Sequence, residues 1–131
     1  MQILTGKIVS GSSNASIWLN KFQDKYEQKL QMKIFPGSLN ISLKENFEFD
    51  KIKDLIHFKS EEYGGERDIL LIKCTVFLQD QKNERAAYLW RTENTEYKGI
   101  GWKKNIVEIV TDVKLRDHFN LKDGDSISIK I

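Results

Sequence analysis

Short runs of β-branched and aromatic residues, separated by glycine, asparagine and aspartate, recur along most of this chain. Runs of this kind are typical of β-strands. The pattern predicts seven strands, near residues 2–10, 38–43, 55–62, 67–79, 84–91, 105–111 and 126–131. The last of them alternates polar and apolar residues, so one of its faces is expected to be buried.

One helix is predicted at about residues 20–31, where Phe22, Tyr26 and Leu30 recur at intervals of four residues. Asn20 stands three residues before a glutamine, which is the pattern of a capping box, and it is expected to begin the helix. The periodic residues would then form the buried face of this helix.

Shorter helical turns are predicted at 113–119 and around 50–55, and the pair Asp123 and Gly124 favours a tight turn before the last strand. The predicted strands do not alternate regularly with helices, which disfavours a parallel sheet. We therefore expect a mainly β fold, a small and mainly antiparallel barrel with one main helix and short helical turns, because closure removes exposed strand edges.

The composition is that of a single globular domain, with 131 residues, 40% of them hydrophobic and 31% charged. Lysine and arginine number 21 against 19 acidic residues, and the two signs are mixed, so no nucleic-acid partner is indicated. No apolar stretch reaches the ~20 residues of a membrane span, and the first residues do not resemble a signal peptide. We expect a cytoplasmic monomer that binds neither nucleic acid nor membrane.

Cysteine and histidine offer little for catalysis. Cys74 lies within an apolar run and is expected to be a buried structural thiol, since reactive thiols need exposed, electropositive surroundings. His57 and His118 lie in separate segments without the spacing of metal ligands. Any chemistry would therefore depend on oxygen ligands, backbone groups and the positioning of substrates.

Two polar segments interrupt the strand pattern. Residues 9–16 are small and polar, and the amides and hydroxyls of such a segment suit phosphate oxygens, although an ordinary connection would have the same composition. After the turn at Pro36 and Gly37, Ser38 and Asn40 project from one face of a strand. They would either complete a magnesium shell shared with phosphate and water or form a solvated strand face.

Four segments stand out when they are read together. They are Val9-Ser10-Gly11, the turn Pro36-Gly37-Ser38-Leu39-Asn40, the strand Val107-Glu108-Ile109-Val110, and the stretch Lys114-Leu115-Arg116-Asp117-His118-Phe119-Asn120-Leu121-Lys122-Asp123-Gly124-Asp125. In this order they resemble the CTP-dependent riboflavin kinases of archaeal type, the last stretch being the most specific. The resemblance implies a six-stranded cradle-loop β-barrel that transfers the γ-phosphate of CTP to riboflavin, giving FMN and CDP.

The resemblance also implies which residues bind the nucleotide and the metal. The loop that would hold the nucleotide phosphates consists of Gly11, Ser12, Ser13, Asn14, Ala15 and Ser16. The cytidine pocket would be lined, chiefly through backbone groups, by Val113, Lys114, Leu115 and Arg116. Ser38 and Asn40 would bind Mg²⁺. The basic side chains of the pocket would either add positive potential near the phosphates or remain solvated.

On the flavin side the resemblance implies Glu108 and a threonine, which is Thr95 or, as the alternative, Thr92. Glu108 would either orient the attacking hydroxyl and accept its proton or serve as a structural hydrogen-bonding group. Phosphoryl transfer depends mainly on alignment and on neutralisation of charge, so a site without cysteine or histidine suits it.

The chain departs from the family pattern in three places. Ser13 and Ala15 stand where the family has glycine, and restoring glycine at both is expected to raise nucleotide affinity. Asp112 would lie close to a triphosphate. Residues 91–104 are longer than the family norm and would form either a flap or a surface hairpin. A riboflavin kinase is expected, with a non-catalytic nucleotide- or flavin-binding barrel and an interaction domain as the alternatives.

Overall fold

The computed structural model describes residues 2–11, 14–78, 83–92 and 105–131. In these ranges, the strands are β1 (Ile3–Val9), β2 (Leu39–Leu43), β3 (Ile56–Phe58), β4 (Ile69–Phe77), β5 (Glu84–Thr92), β6 (Ile106–Val110) and β7 (Ser126–Lys130). The helices are α1 (Asn14–Lys21), α2 (Gln23–Leu30), α3 (Ser60–Tyr63) and α4 (Leu115–His118), with a 3₁₀ turn at Phe49–Lys51.

The strands form one seven-stranded sheet in the order β3-β4-β5-β6-β2-β1-β7, and every pairing in it is antiparallel. β4 additionally pairs with β7, so the pairings of β4, β5, β6, β2, β1 and β7 run in a ring in which each strand has two of the others as neighbours. β3 lies outside this ring, beside β4. The predicted mainly β, antiparallel fold is confirmed.

Apolar side chains form two separate cores, one on each face of the sheet. The first core lies on one face of the sheet and includes Ile8, Ile41, Ile72, Leu89 and Ile129. The second core lies on the outer face and joins the helices to the sheet. Its buried members are Ala15, Leu19, Tyr26, Leu30, Ile34, Phe58, Tyr63, Ile69, Leu71, Tyr88, Trp90 and Val110.

β4 is buried on both faces, which explains its nearly continuous apolar sequence. Leu70 and Ile72 belong to the first core, whereas Ile69 and Leu71 belong to the second. Cys74 is buried in the first core, and desolvation by burial raises the pKa of its thiol to about 12. The prediction of a buried structural thiol is confirmed.

The helical region differs from its prediction, because a single helix at 20–31 was expected and two helices are found. α1 begins at Asn14, and the helical conformation is interrupted at Phe22, which has φ −112° and ψ 25°. Asn20 lies inside α1, so its predicted capping role is wrong. The apolar face begins earlier than the predicted face, because Ala15 and Leu19 join Tyr26 in the second core.

The predicted strand at 55–62 is also too long. Only Ile56–Phe58 is a strand, and the chain turns into α3 at Ser60. Asp68 stabilises this change of direction, because one carboxylate oxygen accepts a hydrogen bond from the Ser60 backbone N–H (2.7 Å) and the other lies 2.9 Å from His57 Nε2. The other predicted strand ends agree with the structure to within two residues wherever the chain is described.

A buried hydrogen bond connects the helical layer to the sheet. The indole N–H of Trp90 donates to the Tyr26 hydroxyl over 2.8 Å. Burial raises the pKa of Tyr26 far above its usual value, so this hydroxyl stays protonated. In the described part of the chain, no helix combines the length and apolarity required to cross a membrane.

Candidate functional site

A pocket opens beside the start of β2, where the turn before that strand meets the segment between β6 and α4. It encloses about 420 Å³, including space open to solvent. Its lining consists of Phe35, Gly37, Ser38, Leu39, Ile109, Thr111, Val113, Lys114, Leu115 and Arg116. The four residues from 113 to 116 therefore lie in the same pocket as Ser38, as the predicted nucleotide site requires.

Backbone hydrogen bonds hold the two sides of this pocket together. The Phe35 N–H donates to the Thr111 carbonyl over 2.8 Å, and the Gly37 N–H closes the turn onto the Phe35 carbonyl over 2.8 Å. Beyond the turn, Leu39 pairs with Ile109 as β2 joins β6. Backbone hydrogen bonds and the pairing of β2 with β6 therefore fix the positions of Phe35, Gly37, Leu39, Ile109 and Thr111 in the pocket wall.

A cluster of oxygen-bearing side chains lies next to the pocket, on the outer face of the sheet. Asn40 on β2 stands directly opposite Glu108 on β6. The hydroxyl of Ser38, at the rim of the pocket, donates to Glu108 Oε1 over 2.9 Å. Ser38 and Asn40 were predicted to project together, and the structure adds Glu108 to this pair, although Glu108 is 70 residues from Ser38 in the chain.

Glu108 is a buried carboxyl group with only 8% of its surface exposed. Burial raises the pKa of Glu108, while the hydrogen bond from Ser38 and the positive charge of Arg91 act in the opposite direction. A buried acid with a raised pKa at the edge of a pocket is a typical candidate for proton transfer. The catalytic role of Glu108 stays a prediction.

Gly11 approaches this cluster from the loop after β1. Val9 pairs with Asn40, which brings the following residues of the loop over β2. A side chain at Gly11 would collide with the carboxamide of Asn40. Glycine at position 11 therefore leaves room for the Asn40 side chain in its present position, and the loop and the predicted metal ligand are in direct contact.

Asp123 connects the loop after β1 with α4. Its carboxylate accepts a hydrogen bond from the Ser10 hydroxyl and forms an ion pair with Arg116, whose Nη2 lies 2.6 Å from Oδ1. Ser10 precedes Gly11, and Arg116 lines the pocket. The two segments predicted to bind nucleotide are thereby linked through one side chain.

Asp112 lies next to the pocket, but its charge is compensated. Arg85 forms a bidentate ion pair with Asp112, in which Nε lies 2.8 Å from Oδ1 and Nη2 lies 2.9 Å from Oδ2. This guanidinium holds the pKa of Asp112 below its usual value. The neighbouring Thr111 hydroxyl donates to the Ala86 carbonyl over 2.7 Å. The repulsion between Asp112 and a triphosphate that the sequence suggested is therefore reduced by Arg85.

The predicted phosphate loop is corrected in part. The residues from 14 to 16 belong to α1 instead of a loop, and the side chain of Ala15 is only 6% exposed because it packs in the second core. The side chain of Ala15 therefore packs against the helical layer, and its role in binding nucleotide stays a prediction. Ser12, Ser13 and the side chain of Asn14 lie outside the described residues, and Ser16 is half-buried in α1.

On the flavin side, Thr95 and residues 93–104 as a whole lie outside the described part of the chain. The alternative, Thr92, ends β5 and is half-buried. Glu108 stands opposite Trp90, and Thr92 follows Trp90 by two residues, so it lies on the same face of the sheet. Thr92 is therefore placed near Glu108 by register.

Sequence reasoning did not single out Phe35, Thr111 or Asp123 as members of this site. Phe35 directly precedes the Pro36–Gly37 turn, and Asp123 lies in the most specific stretch of the resemblance. Their positions in or beside these motifs were therefore the signal that could have identified them as members of the site. The contact between Asp123 and Ser10 spans 113 residues, and local patterns do not reveal a contact of that range.

The donor set beside the pocket suits a hard divalent cation. Ser38 and Asn40 offer neutral oxygens, and Glu108 supplies a carboxylate within hydrogen-bonding distance of Ser38. Magnesium prefers oxygen ligands and keeps several positions for water and phosphate, so few protein ligands are needed. These residues therefore fit the predicted ion, and the ion itself stays a prediction.

A mainly β domain with an antiparallel sheet, and with a pocket beside hydroxyl, amide and carboxylate groups, has features that are common in domains that bind small molecules. A family model described as "Domain of unknown function DUF120", that of the CTP-dependent riboflavin kinases, matches residues 8–131. The chain belongs to this family, as the sequence resemblance indicated.

Curated relatives from archaea are similar over nearly the whole chain. A riboflavin kinase of Methanosphaera stadtmanae is 30% identical over 96% of this chain and 95% of its own length. Riboflavin kinases of Methanocella arvoryzae and Methanosarcina barkeri are 28% and 26% identical over 98% of this chain. The chain spans only 56% of the length of these two longer relatives.

Proposed function

We propose that this protein is a CTP-dependent riboflavin kinase, which transfers the γ-phosphate of CTP to the 5'-hydroxyl of riboflavin and releases FMN and CDP. The observation that carries the proposal is the hydrogen bond from Ser38 to Glu108 at the rim of the pocket lined by residues 113–116. It brings the expected metal ligand, the expected proton acceptor and the expected nucleotide pocket together. The relatives named riboflavin kinase support the same reaction.

The cytidine is proposed to occupy the pocket between Phe35 and the segment from Val113 to Arg116. The Phe35 side of this pocket is held by a backbone hydrogen bond to Thr111, and the backbone N–H and C=O groups of the segment from Val113 to Arg116 would read the edge of the base. The half-exposed side chains of Phe35 and Val113 supply apolar contact for its faces. The preference for CTP over other triphosphates belongs to this proposal.

The phosphates are proposed to lie between Gly11, the polar cluster and the basic residues Lys114 and Arg116. Ser38 and Asn40 would hold Mg²⁺, which when bound neutralises the negative charge of the triphosphate. The contact between Gly11 and Asn40 places the loop against the proposed metal ligand. This arrangement would act by positioning the phosphates and neutralising their charge, as phosphoryl transfer requires.

Glu108 is proposed to accept the proton of the attacking riboflavin hydroxyl. A new bond forms between the riboflavin hydroxyl oxygen and the γ-phosphorus. The bond between the γ-phosphorus and the oxygen that bridges it to the β-phosphate breaks, and CDP leaves with the bridging oxygen. Burial raises the pKa of Glu108, which makes its carboxylate a stronger base than an exposed one. The flavin itself would lie on the side of Glu108, with Thr92 or Thr95.

The ring of six paired strands supports the finer assignment of the fold, a six-stranded cradle-loop barrel with β3 added outside the ring. A monomer is part of the same proposal.

The decisive experiment supplies the purified chain with riboflavin, CTP and Mg²⁺ and measures FMN by chromatography. FMN should form, and CTP should give a higher kcat/KM than ATP. Glu62→Ala is a matched control for handling and folding, because Glu62 lies in α3, outside the pocket lining, and forms an exposed ion pair with Lys29. The absence of FMN at saturating substrates would reject the kinase.

A non-catalytic nucleotide- or flavin-binding domain is the second candidate. It is favoured by α1, whose helical residues 14–16 replace part of the expected glycine-rich loop. This candidate predicts that CDP or FMN raises the melting temperature by several degrees at a hundred times its dissociation constant, while no FMN is produced.

A further inference from the structure

The carboxylate of Asp123 lies between two segments that are far apart in sequence. One oxygen accepts a hydrogen bond from the Ser10 hydroxyl, and the other lies 2.6 Å from Nη2 of Arg116. Ser10 is the residue before Gly11, which contacts Asn40, and Arg116 is part of the pocket lining. Both sides of the proposed phosphate site are therefore attached to the same carboxylate.

The backbone holds Asp123 in place independently of these contacts. The following residue, Gly124, has a φ of +91° and donates its N–H to the Ile8 carbonyl over 2.9 Å. The Ile8 N–H in turn donates to the Asp125 carbonyl over 2.9 Å. The turn that carries Asp123 is thus bonded to β1 two residues before Ser10, so its position does not depend on side-chain packing.

The partners of Asp123 also keep it ionised. Hydrogen bonds from Ser10 and Arg116 lower the pKa of Asp123 below its usual value. An arginine side chain has five N–H donors, and the contact with Oδ1 uses one of them. Arg116 therefore retains donors for an anionic ligand while its guanidinium is held in one orientation.

We propose that Asp123 is a positioning residue for nucleotide binding, which fixes Arg116 and the loop before Gly11 in the arrangement that receives the phosphates. This inference rests on the proposed kinase function. It assigns to Asp123 no contact with the substrate. Its effect passes through Arg116 and Ser10.

Because Asp123 is negatively charged, an effect of its charge and an effect on positioning would change nucleotide affinity in opposite directions. A carboxylate near a triphosphate repels it, so a residue that acted by charge alone would weaken nucleotide binding, and its removal would tighten binding. A positioning residue has the opposite effect, because its removal lets Arg116 and the loop adopt other conformations. The direction of the change in affinity therefore separates the two roles.

The experiment measures the dissociation constant of CDP by calorimetry for the full chain and for Asp123→Ala, Asp123→Asn, Ser10→Ala and the Glu62→Ala control. Asp123→Ala should weaken CDP binding on the order of tenfold, because loss of alignment costs affinity even when charge improves. Asp123→Asn should weaken it less, since its carbonyl oxygen still accepts one hydrogen bond. In turnover, KM for CTP should rise, while KM for riboflavin stays within about twofold.

Coupling between the residues gives a second readout. Asp123→Ala introduced into a chain that already carries Ser10→Ala and Arg116→Ala should change CDP affinity by less than about twofold, because its partners are gone. A full tenfold effect in that background would overturn the positioning role. Melting temperatures measured in parallel should match those of Glu62→Ala, which loses an ion pair of similar exposure.

The remaining outcomes are also decisive. Unchanged or tighter CDP binding by Asp123→Ala, in a protein that makes FMN, overturns this inference and leaves the kinase proposal intact. If Asp123→Ala does not fold, Ser10→Ala decides, with weaker CDP binding supporting the inference and unchanged binding rejecting it. If the unmodified chain neither binds CDP nor forms FMN, the kinase proposal and this inference both fail.

Discussion

The hydroxyl of Ser38 donates its proton to Oε1 of Glu108 over 2.9 Å. A serine hydroxyl has one proton and two lone pairs, so this hydrogen bond leaves its oxygen lone pairs for another partner. The buried carboxylate therefore orients the hydroxyl of a proposed metal ligand.

Glu108→Gln should make the protein more stable at high pH and much less active. Burial raises the pKa of Glu108, so its contribution to folding is complete below the ordinary carboxyl pKa and is lost as pH rises through the raised value. Glutamine stays neutral, so the melting temperature of the variant should exceed that of the unmodified protein at pH 8 and match it near pH 4. Loss of the proton acceptor should lower kcat about 100-fold or more.

Glu62→Gln is the control of opposite sign. Lys29 and the Lys59 backbone N–H hold the pKa of Glu62 below its usual value, so its contribution is present above the ordinary pKa and is lost as pH falls. Its replacement should slightly lower the melting temperature at pH 8. A lower melting temperature for Glu108→Gln at pH 8 would contradict the dominant role of burial at Glu108.

Asn40→Ala should raise the concentration of Mg²⁺ needed for half-maximal activity by about tenfold or more. The free energy of unfolding should change by less than about 1 kcal/mol, because Asn40 is only half-buried. Ser42→Ala is a suitable control, since Ser42 lies on the same face of β2, two residues beyond Asn40. Equal Mg²⁺ requirements in both variants would show that Asn40 does not hold the ion.

Gly11→Ala should have nearly the same effect on the Mg²⁺ requirement as Asn40→Ala. The new methyl group collides with the carboxamide of Asn40, which is the mobile end of a side chain and can move without unfolding the protein. In the double variant the two effects should not add, because they remove the same group from the same position. Additive losses would indicate that position 11 acts through another contact.

Ala15→Gly should destabilise the protein by about 1 kcal/mol, through lower helix propensity and loss of a buried methyl group. The sequence alone led to an expectation about a different quantity, that glycine at positions 13 and 15 together would raise nucleotide affinity. Ile17→Ala is the control, because Ile17 is 63% exposed on the same helix and should change stability by less than about 0.5 kcal/mol. Denaturant unfolding of the two variants measures the difference.

The strands were predictable because their sequences carry the period of two and the β-branched residues that a half-buried sheet requires. The helical region was harder, since its buried face includes Ala15 and Leu19 as well as Tyr26, and the break at Phe22 shifts the period between the two helices. A small residue such as Ala15 is ambiguous in sequence, because close packing of a helix and close approach of a phosphate both favour it.

In the site, the resemblance brought Ser38, Asn40, Glu108 and residues 113–116 to attention, and the structure places these residues around one pocket or beside it. The ion pairs of Asp112 with Arg85 and of Asp123 with Arg116 were not predictable in the same way. Their partners are chosen by the register of strands and turns, and charges that alternate along a sequence have many possible partners.

The double pairing of β7 has a consequence for how the molecule is made. β7 hydrogen bonds to β1 and to β4, so a ribosome must synthesise residues 126–130 before either edge of the ring is satisfied. Contacts between such distant parts of a polypeptide form slowly. During translation, β1 and β4 therefore keep unpaired edges until β7 has been synthesised, and unpaired strand edges favour association with other nascent chains.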